Sequence, residues 1–215
     1  MDAEVFRAWI RSAAEVVEAN RDHLTQLDAA IGDADHGINL ARGFTAALEA
    51  LDAHDRGAAA PMTPGKILSV TGRTIISKVG GASGPLYGMA FRRAGKALGD
   101  AADVDLPALA AALQAALAGV QQLGAACEGD KTMVDALAAA ARAFSKAVAE
   151  GASQDNALGS LAWAAQAGAA ATISMQALKG RASYLGPRSV GHEDPGAAST
   201  ALILAALRDT ARETR

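Results

Sequence analysis

"LDAAIGDADHGINLARGF", Leu27 to Phe44, is the stretch on which the reading of this chain turns. Before it, Val5, Trp9, Val16, Leu24, Leu27 and Ile31 recur at helical spacing, which predicts a first helix from near Asp2 to about Ala30. After it, Ile38, Phe44, Leu48 and Leu51 carry a second helix. "GDADHG" between them is an interhelical turn with an unusual load: Asp28, Asp33 and Asp35 fall within eight residues. Asp28 sits on the last turn of one helix and the other two on the turn that follows, so the three carboxylates can converge. Carboxylates held that close repel one another unless cations sit among them.

An EF-hand loop starting at Asp33 would place Gly37 at position five and Phe44 where glutamate belongs, so the calcium-loop reading fails. Hard oxygen donors without cysteine suit magnesium, which also takes substrate phosphates as ligands. An aspartate-rich cap and turn needs no metal, and at this point both readings stand. Prenyl-diphosphate synthases also combine helices, aspartates and magnesium. They use D-D-x-x-D clusters, and this chain has no adjacent aspartate pair.

Outward from that turn the pattern repeats. Thr63-Pro64 opens a helix toward Val79, and "GGASGPLYG" leads into another ending near Leu98. Asp105 and Pro107 open the next, through Leu109, Leu113, Leu117 and Val120; Lys131 opens one through Met133, Leu137, Phe144 and Val148. A seventh helix spans about Asn156 to Leu178. Asp194-Pro195 caps a last one through Leu202 and Leu207. No stretch alternates apolar and polar residues over a strand's length. The Ala- and Gly-rich segment near 57–60 is a short loop. The expectation is all-α: one domain over residues 1–215, about eight antiparallel helices in an up-and-down barrel. Hydrophobic residues make up 51% and aromatics only 4%, with alanine filling the gap, so helices can approach closely. Trp9 and Trp163 read as core.

In such a barrel every second connection lies at the same end. Loops 28–39, 80–88, 124–132 and 180–196 therefore share one rim, and each is richer than a plain connection needs. "GGASGPLYG" (Gly80 to Gly88) exposes backbone amides before a helix N-terminus, an arrangement suited to phosphate. It is neither a Walker A loop nor G-x-G-x-x-G, and a tight turn explains it equally. In "EGDKTM" Thr132 caps a helix or binds phosphate. Lys179, Arg181, Arg188 and His192 gather positive charge in the last loop, and a polyphosphate fits between them and the aspartates. His36 beside its turn reads as a polar contact. Together the loops point to a metal–nucleotide or metal–diphosphate site at one rim.

Other classes recede. A formal charge of -3 argues against non-specific nucleic-acid binding. The acidic, amphipathic N-terminal segment is no signal peptide. Ala157 to Leu178 is the best membrane-span candidate, but Gln166, Thr172, Ser174 and Gln176 mark it as a buried helix. Cys127, the sole cysteine, reads as an ordinary thiol. A cytoplasmic location and no membrane partner are expected.

The four motifs "LDAAIGDADHGINLARGF", "GGASGPLYG", "GDKTM" and "ALKGRASYLGPRSVGHEDPGA", in this order, resemble the L-type nucleotide-binding subunits of bacterial dihydroxyacetone kinases driven by the phosphotransferase system. The resemblance implies an eight-helix barrel holding ADP or ATP at one end. It implies two magnesium ions on Asp28, Asp33 and Asp35, and nucleotide contacts from His36, Gly37, Ile38 and Asn39. Further contacts carry over to Ala82 and Ser83, to Gly124, Thr132 and Met133, and to Arg181, Asp194, Pro195 and Gly196. Gly124 lies in "LGAACEGD", which departs from the family's wording. In that family ADP stays bound as a coenzyme. A phosphohistidine on the M subunit phosphorylates it, and the phosphate passes to dihydroxyacetone on the K subunit. No nucleophile or general base is then expected here. The resemblance leaves room for exchangeable ATP, for another short ketose such as erythrulose, for an ADP-state contact with a transcriptional activator, and for a homodimer.

Overall fold

The computed structural model describes residues 1–57 and 61–214; most of the 57–60 segment lies outside the described residues. Among the described residues nine α-helices follow in order: α1 (Ala3–Ala19), α2 (Arg21–Ile31), α3 (His36–Gly57), α4 (Pro64–Lys78), α5 (Ser83–Leu98), α6 (Leu106–Gly124), α7 (Met133–Ala149), α8 (Gln154–Ala171) and α9 (Pro195–Glu213). Two 3₁₀ segments, Thr172–Ser174 and Arg181–Ser189, sit between α8 and α9. The described residues contain no strand.

Two boundaries differ from expectation. The first predicted helix breaks at Asn20, where φ is −104° and ψ 9°. The Asn20 side chain donates to the Val16 carbonyl at 2.7 Å, the local competition with the helix ladder that asparagine offers. The seventh predicted helix stops at Ala171, because Thr172 turns its hydroxyl onto the Ala169 carbonyl at 2.6 Å and Met175 is extended. Ala177 stays buried in irregular chain, which is why its pattern read as helix.

With α1 and α2 taken as one broken staff, eight helices form a ring. Each helix from α3 to α9 packs on the next, and α1 closes the ring against α3 and α9. The core holds Phe6, Ile10, Phe44, Phe144 and Leu158, with Trp9, Phe44 and Phe91 in contact at ring separations near 6 Å. Small residues set the tightest crossings. A Cβ on Gly72 would lie 2.6 Å from the Gly88 carbonyl, and one on Gly168 would lie 2.5 Å from that of Asp135. Any larger residue would push those helix pairs apart.

Trp163 is not core; it is 72% exposed. Leu158, Leu161 and Ala165 face inward, and Trp163 stands five residues beyond Leu158, about 140° around the helix. Among the described residues the helix long and apolar enough to cross a membrane is α6, not 157–178. In the barrel α6 lays Leu109, Leu113, Ala116 and Val120 against the core between α5 and α7.

Candidate functional site

The first wall of the site comes from the turn between α2 and α3. Asp28 is 8% exposed on the last turn of α2. Its Oδ2 accepts from the amides of Asp35 at 2.8 Å and His36 at 3.1 Å, so it caps α3 from the preceding helix. A Cβ on Gly32 would fall 2.0 Å from Asp28 Oδ1, so only glycine lets the chain pass the carboxylate there. Ala34 at φ 62° then reverses the chain and brings Asp33 and Asp35 back. Ligand oxygens of the three aspartates lie within 4.8 Å of one another, the sole such cluster among the described residues. An all-carboxylate donor set, partly open to solvent, fits a magnesium ion. Arg181 reaches across the mouth to Asp33 at 3.1 Å.

The glycine loop forms the second wall. Gly81 adopts φ 66°, and α5 starts without a side-chain cap. The other three helices that begin on this rim are capped: α3 by Asp28, α7 by Thr132 and α9 by Asp194. The first amides of α5 are thus left for a ligand, with the positive end of the helix dipole behind them. Ser83 Oγ lies 3.0 Å from His36 Nδ1, and His36 Nε2 lies 2.8 Å from Ser199 Oγ. Burial lowers the His36 pKa, although Asp28 and Asp35 pull it upward. The Tyr87 hydroxyl contacts Ser199 and Thr200, and burial pushes its pKa upward.

The last two loops are sewn together by a buried lysine. Lys131 is 1% exposed at φ 61°, and its ammonium donates to the carbonyls of both Thr172 and His192. Burial lowers its pKa, opposed by Asp194, Asp135 and Glu193. Leu178 donates to the Asp130 carbonyl at 3.1 Å, and Asp194 donates through its amide to Thr172 Oγ1 at 3.0 Å. Thr132 and Asp135 form a reciprocal capping box on α7. Asp194 caps α9, accepting from Ala197 at 2.7 Å. Burial raises the Asp194 carboxyl to about 7, against the pull of the Ala197 amide and Lys131.

The four rim loops meet in one pocket. Among the predicted residues, Asp28, Asp33, Asp35, His36, Ala82, Ser83, Thr132, Met133, Arg181, Asp194, Pro195 and Gly196 line it. Gly37, Ile38, Asn39 and Gly124 stand off the wall. Gly37 packs against α2, where a Cβ would meet the Arg21 carbonyl at 2.0 Å. Ile38 is 50% exposed, and Asn39 is buried behind the glycine loop, accepting from Arg42 at 2.7 Å. Gly124 ends α6 beside Leu86. Of the basic residues, Lys179 and Arg181 line the pocket; Arg188 and His192 do not. Lys131 and Tyr87 were visible inside quoted motifs, yet no local pattern marked their burial. Ser199 carried a fainter signal, as half of a hydroxyl pair inside an apolar helix.

A family model described as the DAK2 domain matches residues 30–209. The chain is 40% identical over 205 residues, 95% of each chain, to the ADP-binding subunit DhaL of the PEP-dependent dihydroxyacetone kinase of Escherichia coli (strain K12). It is 38% identical over 199 residues, 93% of each chain, to the ADP-binding subunit DhaL of the PTS-dependent dihydroxyacetone kinase of Lactococcus lactis. It is also 38% identical over 186 residues to the triokinase/FMN cyclase of Rattus norvegicus, covering 86% of this chain and 31% of that protein. The crystal structure of the dihydroxyacetone kinase from C. freundii in complex with AMP-PNP and Mg2+ superposes with a TM-score of 0.71 at 27% identity, over 97% of this chain and 34% of that one.

Proposed function

The chain belongs to the DAK2 domain family, and on that premise we propose that it is the ADP-holding subunit of a PEP-dependent dihydroxyacetone kinase. The bound nucleotide takes a phosphoryl group from a phosphohistidine donor subunit and gives it to dihydroxyacetone held on a second subunit. The observation that carries this reading is the pocket itself, where three converging carboxylates face an uncapped helix N-terminus and a basic loop. Relatives of nearly full length that are named ADP-binding subunits support it.

In this reading Asp28, Asp33 and Asp35 hold magnesium, and the metal neutralises the diphosphate when bound. The first amides of α5 and the Ala82–Ser83 backbone receive a phosphate group. Arg181, already at the mouth, swings between Asp33 and a phosphate oxygen. Thr132 and Met133 at the start of α7, with Asp194 to Gly196 at the start of α9, close the opposite wall. His36 to Asn39 carry the chain from the metal turn into α3. The subunit thus contributes positioning and charge neutralisation, the main terms in phosphoryl transfer, and needs no nucleophile of its own.

Exposed apolar side chains suit the docking of partner subunits. Ile38, Ile173, Leu178, Tyr184 and Val190 are all solvent-facing, on the segments that build this rim. Reconstitution tests the whole proposal. The purified chain, with a dihydroxyacetone-binding subunit and a phosphorylated donor subunit, yields dihydroxyacetone phosphate; no product would refute it. A second reading, with ATP as an exchanging substrate, draws on the triokinase relatives and the AMP-PNP complex. Retention of ADP through prolonged dialysis favours the coenzyme role, and rapid exchange favours ATP.

A further inference from the structure

Behind the glycine loop runs a buried line of polar groups that nucleotide contacts alone do not require. It passes from Ser83 through both nitrogens of His36 to Ser199, and then to the Tyr87 hydroxyl 2.7 Å away. The imidazole is 6% exposed and has a hydroxyl at each ring nitrogen, and burial favours its uncharged form. A neutral ring carries one proton, so one nitrogen donates and the other accepts. Which nitrogen does which is fixed by the partners.

Two arrangements satisfy this line. With the proton on Nε2, the ring donates to Ser199, which back-bonds to the Pro195 carbonyl at 2.8 Å. Ser83 must then donate to Nδ1, and only its lone pairs face the pocket. With the proton on Nδ1, the ring donates to Ser83, Ser199 turns its proton to Nε2, and Tyr87 donates to Ser199. The Ser83 proton is now released toward the pocket. The first arrangement keeps every proton inside the protein. The second offers one outward and needs an acceptor there.

We propose that an anionic oxygen at the N-terminus of α5 switches His36 from the Nε2–H to the Nδ1–H tautomer, turning the Ser83 hydroxyl into a phosphate donor. Taking that oxygen to belong to the diphosphate of magnesium-ADP rests on the function proposed above. The Nε2 proton leaves to solvent while Ser83 passes its hydroxyl proton to Nδ1 and takes a replacement from solvent, so the ring's proton count and charge are unchanged. His36 is then a positioning residue, acting through Ser83 without touching a reacting atom. The same ring whose backbone amide binds Asp28 thereby reports phosphate occupancy to α9.

Nitrogen-15 NMR of the histidine-labelled full chain tests this. The ring of His36 is expected as Nε2–H in the free protein and as Nδ1–H with magnesium-ADP or magnesium-pyrophosphate, while adenosine leaves it unmoved. Ser199→Ala, which removes the proton source for Nε2, is expected to keep the helical circular dichroism, abolish the switch and weaken ADP by about tenfold. Ser83→Ala abolishes the switch from the other end. One tautomer throughout, with ADP bound, would overturn the proposal, as would a normal switch in Ser199→Ala. Pyrophosphate switching the ring while calorimetry detects no ADP binding would refute the nucleotide reading alone. No switch with either anion refutes this one.

Discussion

The two ends of the barrel solve the same problem in opposite ways. At the far end, helix starts are closed by their own caps: Asp2, Thr63, Asp105 and Ser153 each accept from an amide within the next few residues. Val104 adds a backbone bond to the Met1 carbonyl at 2.9 Å. At the site end Thr132 and Asp194 still cap α7 and α9 locally, but the rest of the closure runs between loops. Asp28 of α2 caps α3, Lys131 ties the α8 exit to His192, and α5 is left uncapped. A rim satisfied locally is a stability device. A rim satisfied across loops, with one helix start left open, holds a binding surface in a fixed shape.

That contrast breaks most severely at Lys131. Lys131→Met leaves the buried Thr172 carbonyl and the part-buried His192 carbonyl without their ammonium partner and unties two loops, so it is expected to cost about 3 kcal/mol of stability and to abolish ADP retention. Denaturant unfolding and calorimetry measure the two effects. Full binding in a folded Lys131→Met protein would show that the loops hold their places without the tie.

The far end gives the control. Asp105→Ala removes the cap bond to Ala108 at 2.8 Å and is expected to cost about 1 kcal/mol while leaving ADP affinity unchanged. A change in affinity would mean that the two rims are coupled through the helices.

A change of pH sharpens the picture further. Folding raises the Asp194 carboxyl from 3.8 to about 7, so the folded chain keeps a proton that the unfolded chain releases. The stability this group contributes is complete below about pH 4 and is lost as pH rises through about 7. Asp194→Asn keeps a capping side chain and removes that titration. In EDTA, wild type minus variant stability is expected to fall between about pH 4 and 7 and to level off above. A flat difference would place Asp194 in a more polar setting than its burial implies.

The sequence showed most of the local-closure end and half of the other. Caps at Thr63, Asp105 and Asp194 were readable because a cap is a spacing rule between neighbours. The shared rim followed from counting connections. Asn20 was opaque, since helical periodicity continues on both sides of the break. Trp163 misled because an alanine-rich helix has a weak apolar face. The roles of Lys131, Tyr87 and Ser199 depend on partners 41 to 163 residues away in sequence, beyond any local pattern.

The central claim is that the carboxylates of the site rim hold magnesium against a nucleotide diphosphate. Calorimetric titration of ADP into wild type, Asp33→Ala and Asp35→Ala, each with magnesium and with EDTA, tests it most directly. Both side chains are at least partly open to solvent, so both variants are expected to keep wild-type stability within about 0.5 kcal/mol. With magnesium, each is expected to lose ADP affinity by about 100-fold, roughly 2.7 kcal/mol, and in EDTA all three proteins bind with the same weak affinity. Unchanged magnesium-dependent ADP binding in both variants would contradict the account.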